Sequence, residues 1–218
     1  MKRCIDILLS CIALAMFLPF GLIIGLILKF TGEGEIFYIQ PRVGKDGKLF
    51  GLIKFATMLK NSPNMGPGDI TVRNDPRVLP IGKILRKFKL NEVPQLINVL
   101  KGDMSIVGPR PQTPKYFALF PDYVQRGIID MKPGLTGVGS VVFRDEEAMG
   151  SHSGMDQVEF HKKVIAPYKG EIELWYKHQQ SFWMDIKLMF LTAWLILFPN
   201  SRLYLTFLPG LPVQLEAI

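Results

Sequence analysis

Several side chains between positions 54 and 147 are of types that could bind phosphate or a metal ion. They are Lys54, Asn91-Glu92, Asp103, Gly108-Pro109-Arg110-Pro111 and Arg144-Asp145-Glu146-Glu147. Arg110 is the most suggestive, because the prolines on both sides restrict its backbone. A guanidinium held in one place is well suited to binding phosphate oxygens. Taken singly, each of these residues could equally be structural.

Familiar nucleotide and metal motifs are missing from the sequence. It contains no phosphate-binding loop of the nucleoside triphosphatases and no glycine-rich dinucleotide fingerprint. The three histidines, His152, His161 and His178, do not combine with cysteines at a metal-ligand spacing. The chemistry must therefore come from dispersed basic and acidic side chains.

Composition restricts the fold class. The chain has 218 residues, a net charge of +7 and 48% hydrophobic residues, which predicts one domain with an appendage. Two cysteines and scattered prolines and glycines exclude a disulfide-stapled scaffold, a collagen-like repeat and a disordered tail. Mean hydropathy is positive, at +0.21, and the excess apolar residues lie near the two ends.

The first apolar stretch predicts a membrane segment. Ile7 to Leu28 carries no charge and is long enough to cross a bilayer, and its bulky end argues against a cleaved signal peptide. Pro19 near its middle favours a break, and Lys or Arg flanks both ends, as cytoplasmic flanks do. The sequence therefore favours a re-entrant helix, with a kinked spanning helix as the alternative.

The central region predicts short elements around the candidate residues. Apolar and polar residues alternate on both sides of a turn within residues 35–58, which predicts a β-hairpin. Residues 59–72 have the composition of a loop. A basic helix beginning at Pro80 is either a solvated face or a surface for anionic lipid, and nucleic acid is disfavoured for lack of a binding motif. Asn91 is expected to cap a helix that stops at Gly102.

The second apolar stretch predicts an interfacial helix. Its uncharged part, Leu188 to Phe198, has about half the length that a crossing requires. Trp183 and Trp194 are of the type that lies at headgroup depth.

One long run carries a family resemblance. Residues 89–111, KLNEVPQLINVLKGDMSIVGPRP, closely resemble the signature of the monotopic phosphoglycosyl transferases, a family of bacterial sugar transferases. The similarity continues in order through Lys2-Arg3 with Asp6, Leu18-Pro19, Lys54-Phe55-Ala56-Thr57-Met58, Pro133-Gly134-Leu135-Thr136-Gly137 and Asp185-Ile186-Lys187-Leu188-Met189-Phe190.

The resemblance implies an activity and a location. The expected reaction transfers a sugar-1-phosphate from a UDP-sugar to undecaprenyl phosphate, releases UMP and uses Mg²⁺. The expected site has Asn91 and Glu92 as catalytic residues, Glu92 as the metal ligand, and Lys54, Arg110, Arg144 and Glu173 as phosphate or substrate ligands. The expected location is the cytoplasmic face of the bacterial inner membrane, with anionic phospholipids as further partners and a homodimer left open.

Asn91 departs from the family pattern, because the family has a nucleophilic Asp at this position. A carboxamide is a weak nucleophile. The open explanations are an engineered Asp to Asn form, a subgroup in which another carboxylate or the lipid phosphate attacks, and a catalytically silent homologue or scaffold. The nearest alternative carboxylates are Asp145, Glu146 and Glu147. Ala56 is a second departure, since the family usually has a basic residue there.

The expected fold is a mostly helical α+β monotopic membrane protein. Residues 1–29 would form the re-entrant helix, broken at Leu18 and Pro19. Residues 30–218 would form a small cytosolic domain with a short β-hairpin and interfacial amphipathic helices.

Overall fold

The computed structural model describes residues 2–65, 71, 75–144 and 157–212. The chain divides into two compact units. The amino-terminal unit comprises Met1–Gln40 and Gly51–Gly102, and the carboxy-terminal unit comprises Pro41–Phe50 and Asp103–Ile218. The predicted mostly helical α+β class is confirmed, whereas the division at residues 29 and 30 concerns the membrane and stays a prediction.

Helix α1 runs from Lys2 to Phe30 and is the one described helix that is long and apolar enough to cross a membrane. Its backbone is helical on both sides of Pro19, so the expected interruption at Leu18-Pro19 is not seen. A proline inside a helix removes one hydrogen bond and distorts the helix locally without ending it. Most of the middle of α1 is exposed, including Met16, Leu18 and Leu22.

The amino-terminal unit contains most of the predicted hairpin and two short helices. The hairpin strands are β1 (Phe37–Val43) and β2 (Leu49–Phe55), and the helices are α2 (Pro80–Lys87) and α3 (Gln95–Lys101). A core cluster of Ile24, Leu28, Phe55 and Leu85 joins α1, β2 and α2. The Asn98 amide links α3 to β2, because it accepts from the backbone N–H of Ile53 at 3.0 Å and donates to the carbonyl of Gly51 at 2.8 Å.

A buried ion pair organises the segment that precedes α2. Arg77 and Asp75 are each 3% exposed, and the Arg77 Nη2 to Asp75 Oδ2 distance is 2.6 Å. The second arm of the Arg77 guanidinium donates to the carbonyls of Ser62 and Met65, both at 2.8 Å. With a further bond from Arg77 Nε to Asp75 Oδ1 at 2.9 Å, Arg77 satisfies four acceptors while it is shielded from water, and it fixes the base of the predicted loop.

The carboxy-terminal unit is built around a two-stranded parallel sheet. Strands β3 (Ser105–Val107) and β4 (Gly134–Thr136) pair with Ser105 opposite Gly134 and Val107 opposite Thr136. The described helices of this unit are α4 (Pro114–Phe117), α5 (Asp122–Ile128), α6 (Val138–Val142), α7 (Gln157–Phe160), α8 (Ala166–Gln179), α9 (Phe182–Leu197) and α10 (Leu203–Phe207). A strand of three residues is too short to show an alternation of apolar and polar residues. The sequence therefore did not predict this sheet.

Helices α9 and α10 expose aromatic and aliphatic side chains. Trp183 and Leu197 are each 72% exposed, and Phe198 is half exposed. Phe190 of α9 stacks on Phe207 of α10, with ring centroids 5.7 Å apart. The predicted helix over this stretch is confirmed, and its placement at a lipid surface stays a prediction.

Candidate functional site

Three glycines bring the strands of the β3–β4 sheet unusually close together. A Cβ at Gly137 would lie 2.1 Å from the carbonyl oxygen of Gly108, and a Cβ at Gly134 would lie 2.1 Å from the Gly108 nitrogen. The backbone N–H of Gly108 donates to the carbonyl of Thr136, and the backbone N–H of Gly134 donates to the carbonyl of Pro109. Glycine is therefore required at these positions by close backbone contact, and the resulting pairing fixes the segment that carries Arg110.

Arg110 and Glu173, both predicted from the sequence, are brought together in the carboxy-terminal unit. The backbone N–H of Arg110 donates to Glu173 Oε1 at 3.4 Å. Glu173 is 2% exposed, and its Oε2 has no hydrogen-bond partner among the described residues. A Cβ at Gly139 of α6 would lie 2.3 Å from Glu173 Oε1, so a side chain at this position would displace the Glu173 carboxyl.

Burial controls the ionisation of Glu173. Removal from water raises the pKa of its carboxyl to about 7, because the charged form loses its hydration. The backbone N–H groups of Arg110 and Gly139 and the charges of Lys169 and Arg110 act in the opposite direction. Glu173 is therefore a carboxyl that changes its charge near neutral pH.

A pocket of the carboxy-terminal unit places these two residues at its wall. Its other lining includes apolar side chains and prolines, namely Val43, Pro109, Pro111, Phe117, Phe120, Ile128, Ile129, Met131 and Pro133. Arg110 is half-buried, so its side chain lies at the boundary between this lining and solvent. A positive group beside a sheltered carboxyl is a suitable arrangement for holding an anionic ligand in a defined orientation.

Asn91 and Glu92 lie in a 3₁₀ turn, Leu90–Glu92, of the amino-terminal unit. The prediction that Asn91 caps the following helix is wrong, because α3 begins at Gln95 with Pro94 as its cap residue and without a side-chain cap bond. Asn91 is 6% exposed, and its Oδ1 has no hydrogen-bond partner within the described part of the chain. Backbone hydrogen bonds close the turn: the N–H of Glu92 donates to the carbonyl of Lys89, and the N–H of Val93 donates to the carbonyl of Leu90.

Lys54 lies near the end of β2 in the same unit and is half-buried. Two residues further on, Ala56 is 7% exposed, and its backbone N–H donates to the carbonyl of Ile36 at 2.9 Å. The position where the family usually has a basic residue is thus closed to solvent in this chain.

Arg144 has a structural partner in the carboxy-terminal unit. Its guanidinium donates to the backbone carbonyl of Leu195 in the last turn of α9. The predicted phosphate role of Arg144 stays a prediction, and it would have to be met by the other guanidinium nitrogens. Asp145, Glu146 and Glu147, the alternative carboxylates, lie outside the described residues.

Sequence analysis missed Lys169, which is 2% exposed and lies one helical turn before Glu173 in α8. Its Nζ lies 5.4 Å from the ring centroid of Phe143. The spacing of four residues between a lysine and a glutamate was a readable signal, but surface helices show the same spacing. Only the burial of both side chains distinguishes this pair.

Comparison with known proteins identifies the family. The sequence profile described as bacterial sugar transferase matches residues 1–199. The chain belongs to this family. The match covers both Asn91-Glu92 and the Arg110–Glu173 pair, so both groups lie in the part shared with the family.

Several named relatives are about one third identical to the chain over the aligned residues. A UDP-N-acetylgalactosamine-undecaprenyl-phosphate N-acetylgalactosaminephosphotransferase of Aeromonas hydrophila is 34% identical over 200 residues, which are 90% of this chain and 43% of the relative. A UDP-glucose:undecaprenyl-phosphate glucose-1-phosphate transferase of Caulobacter vibrioides is 34% identical over 198 residues, 88% of this chain and 68% of the relative.

An undecaprenyl-phosphate galactose phosphotransferase of Salmonella typhimurium is also 34% identical, over 90% of this chain and 40% of the relative. The chain therefore spans about two fifths of the Aeromonas and Salmonella proteins and about two thirds of the Caulobacter protein. Membership of the family agrees with the resemblance carried by residues 89–111. None of these relatives supports the alternative of a catalytically silent scaffold.

Proposed function

We propose that this chain transfers a sugar-1-phosphate from a UDP-sugar to undecaprenyl phosphate and releases UMP, at the cytoplasmic face of the bacterial inner membrane. The observation that carries the proposal is the family match over residues 1–199. The names of two relatives include a UDP-sugar and undecaprenyl phosphate, which supports the same donor and acceptor classes here.

A membrane-embedded acceptor requires a site at the lipid surface, and the contacts of α1 support a re-entrant placement. At one end of α1, the Arg3 guanidinium donates to the carbonyls of Val99 and Leu100 in α3. At the other end, Leu28 packs with Phe55 and Leu85.

Arg3 and Leu28 are separated by about 38 Å of helix, more than the apolar thickness of a bilayer. A helix that crossed the bilayer would place its two ends in opposite compartments. Both ends of α1 instead contact the same segment, Gly51–Gly102, so we propose that α1 bends at the Pro19 distortion in the membrane, enters one leaflet and returns. The exposed apolar middle of α1 would face the acyl chains.

The chemistry we propose is direct transfer between the two phosphates. An oxygen of the lipid phosphate forms a bond to the β-phosphorus of the UDP-sugar. The bond from that phosphorus to the bridging oxygen breaks, and its electron pair leaves with UMP. Direct attack is favoured because the neutral carboxamide of Asn91 cannot supply an anionic nucleophile.

Separate roles follow for the basic residues. The Arg110 guanidinium would hold phosphate oxygens, since its backbone is fixed by two prolines and by the bond to Glu173. Lys54 would neutralise phosphate charge. Arg144 would contribute in the same way through the nitrogens that Leu195 does not engage.

The donor set of the 3₁₀ turn fits Mg²⁺ if substrate phosphates complete the coordination. Among the described residues, no group of three or more His, Cys, Asp or Glu side chains could hold a metal by itself. Mg²⁺ is commonly held by one or two carboxylates together with substrate phosphates. Glu92 supplies a carboxylate, and the buried Oδ1 of Asn91 supplies an oxygen that lacks a donor in the described part of the chain. Bound there, Mg²⁺ would neutralise charge on the diphosphate.

The proposal is tested by measuring UMP release from a panel of UDP-sugars with undecaprenyl phosphate and Mg²⁺. The parent chain, Asn91→Asp and Glu92→Gln would be compared, each with and without a chelator. We expect the parent to release UMP, and Glu92→Gln and chelation to abolish the release. If the parent releases no UMP from any donor, the proposed reaction is wrong for this chain, and release by Asn91→Asp alone would indicate a disabled transferase.

A second measurement separates direct transfer from a covalent route. The enzyme is incubated with a donor carrying ³²P in the β-phosphate, without the lipid acceptor, and then denatured. Direct transfer predicts no label on the parent protein, whereas Asn91→Asp would acquire it. Label on the parent would indicate that another carboxylate attacks.

A further inference from the structure

Lys169 is a buried charge to which the proposed mechanism assigns no role. It is 2% exposed, and its Nζ faces the ring of Phe143 at 5.4 Å from the centroid. Burying an ammonium group without electrostatic compensation is costly, so a buried lysine indicates a nearby negative or π-rich group. The Glu173 carboxyl, one turn further along α8, lies in the same buried space, because Lys169 Cε and Glu173 Oε1 both approach the position that a Cβ would take at Gly139.

Several neighbours of Glu173 contribute to its charge balance. On its own helix, the charge of Lys169 lowers the pKa of the carboxyl, and Tyr176 lies one turn further along. Helix α5, which packs against α8, carries Asp122, Tyr123 and Arg126, and all three are exposed. Across the site, Arg110 acts through both its charge and its backbone N–H, while α6 contributes the backbone of Gly139 and no titratable side chain. Lys169 is thus the buried cation that shares a helix face with Glu173.

The position of Glu173 determines what surrounds Arg110. Its carboxylate accepts from the Arg110 backbone N–H and occupies the space that a side chain at Gly139 would need. An ionised carboxylate is a stronger acceptor than a carboxylic acid. Loss of the charge would therefore loosen the segment that carries the Arg110 guanidinium.

We propose that Lys169 is a positioning residue: its ammonium favours the ionised form of Glu173, and the Glu173 carboxylate holds the backbone of Arg110 in place. The consequence for catalysis rests on the proposed function, in which Arg110 binds phosphate. The arrangement of Lys169, Glu173 and the Arg110 backbone does not depend on that function, so the two can be tested separately.

Hydrogen exchange measures the contact directly on the full chain in detergent. Pro109 and Pro111 have no amide hydrogen, so peptides that differ by residues 109–111 report the Arg110 amide alone. The Gly108 amide, which donates to Thr136, is the internal reference. We expect Lys169→Met to accelerate exchange of the Arg110 amide roughly tenfold and to leave that of Gly108 unchanged.

Matched variants control for folding. Lys163→Met removes a lysine with the same four-residue spacing from an exposed pair with Glu159, and it should change neither amide. Lys169→Arg retains the charge and should restore protection, which keeps the test valid if Lys169→Met is unstable. In a Glu173→Gln background, Lys169→Met should add nothing, because Lys169 acts through the Glu173 charge.

Activity supplies a second readout. If the ionised form of Glu173 is required, UMP release rises with pH through the Glu173 pKa, and Lys169→Met shifts that acidic limb upward by about one pH unit. Unchanged Arg110 exchange in Lys169→Met would overturn the positioning role. A parent without transferase activity would overturn the proposed function, while altered Arg110 exchange would still support the role of Lys169.

Discussion

The guanidinium of Arg3 donates to the carbonyl oxygen of Leu100, with 2.8 Å between Nη2 and that oxygen. Its other arm donates to Val99. These bonds attach the first turn of a membrane-length helix to the carboxyl end of α3, where the last carbonyls and the negative end of the helix dipole favour a cation. Arg3 therefore anchors α1 to the unit that contains Asn91 and Glu92.

Arg3→Met should lower the stability of the folded chain in detergent. Hydrogen bonds to a charged group each contribute about 1.5–3 kcal/mol, so we expect a loss of about 2 kcal/mol in the free energy of unfolding. Lys29→Met at the exposed opposite end should change it by less than about 0.5 kcal/mol. Equal effects in denaturant titrations of the two variants would contradict the anchoring role.

Labelling of α1 tests the re-entrant placement in cells. A single cysteine introduced before Lys2, in a chain with Cys4 and Cys11 replaced by serine, should be inaccessible to an impermeant maleimide added from the periplasm. It should become labelled once the inner membrane is permeabilised. Labelling in intact cells would favour the spanning helix and would be incompatible with the Arg3–Leu100 contact.

Gly137→Ala should disrupt the β3–β4 pairing, because the added Cβ would lie 2.1 Å from the Gly108 carbonyl oxygen. Overpacking of this kind costs about 1–3 kcal/mol, and the displaced segment carries Arg110. Gly21→Ala is the matched control, since its Cβ meets only the Phe17 ring at 3.4 Å inside α1. Thermal unfolding and UMP release should both decline for Gly137→Ala and remain at parental values for Gly21→Ala.

Arg110→Ala should reduce turnover by more than about tenfold, since loss of a charge-assisted phosphate bond costs at least about 1.5 kcal/mol. Arg126→Ala, an exposed arginine in the last turn of α5, should leave turnover near the parental value. Turnover by Arg110→Ala within tenfold of the parent would show that Arg110 does not bind the reacting phosphate.

Glu173 should make stability depend on pH. Its pKa is raised from 4.5 to about 7 in the folded chain, so the folded state retains a proton that the unfolded state releases across this window. The contribution of Glu173 to the free energy of unfolding is fully present below about pH 4.5 and is lost as the pH rises through about 7. The free energy of unfolding changes by about 3 kcal/mol over this range.

Glu173→Gln removes this pH-dependent contribution to stability. Relative to the parent, the variant should therefore gain stability between pH 5 and pH 8, whereas Glu159→Gln on the exposed face of α7 should track the parent. Parallel pH profiles of unfolding for the parent and Glu173→Gln would refute the raised pKa.

Parts of the fold were predictable because their signals are local. The β-hairpin follows from alternation around a turn, α2 from Pro80, and the end of α3 from Gly102, which has a φ of 94°. The helix start at Asn91 was wrongly predicted, since an asparagine three residues before a proline fits both a helix cap and a 3₁₀ turn. Packing, which fixes Asn91 in a buried turn, is not visible in such a pattern.

By itself, the sequence determined the lengths of the two apolar stretches, the restriction of Arg110 by its neighbouring prolines and the family signature in residues 89–111. These features depend only on residue types and their spacing along the chain. Tertiary structure decided which charges are buried and what they contact. The Arg3–Leu100 bond joins positions 97 residues apart, and the Arg110–Glu173 bond joins positions 63 residues apart. Long-range contacts of this kind depend on how elements pack, and it is their burial that gives Lys169 and Glu173 a role different from that of an exposed pair at the same spacing.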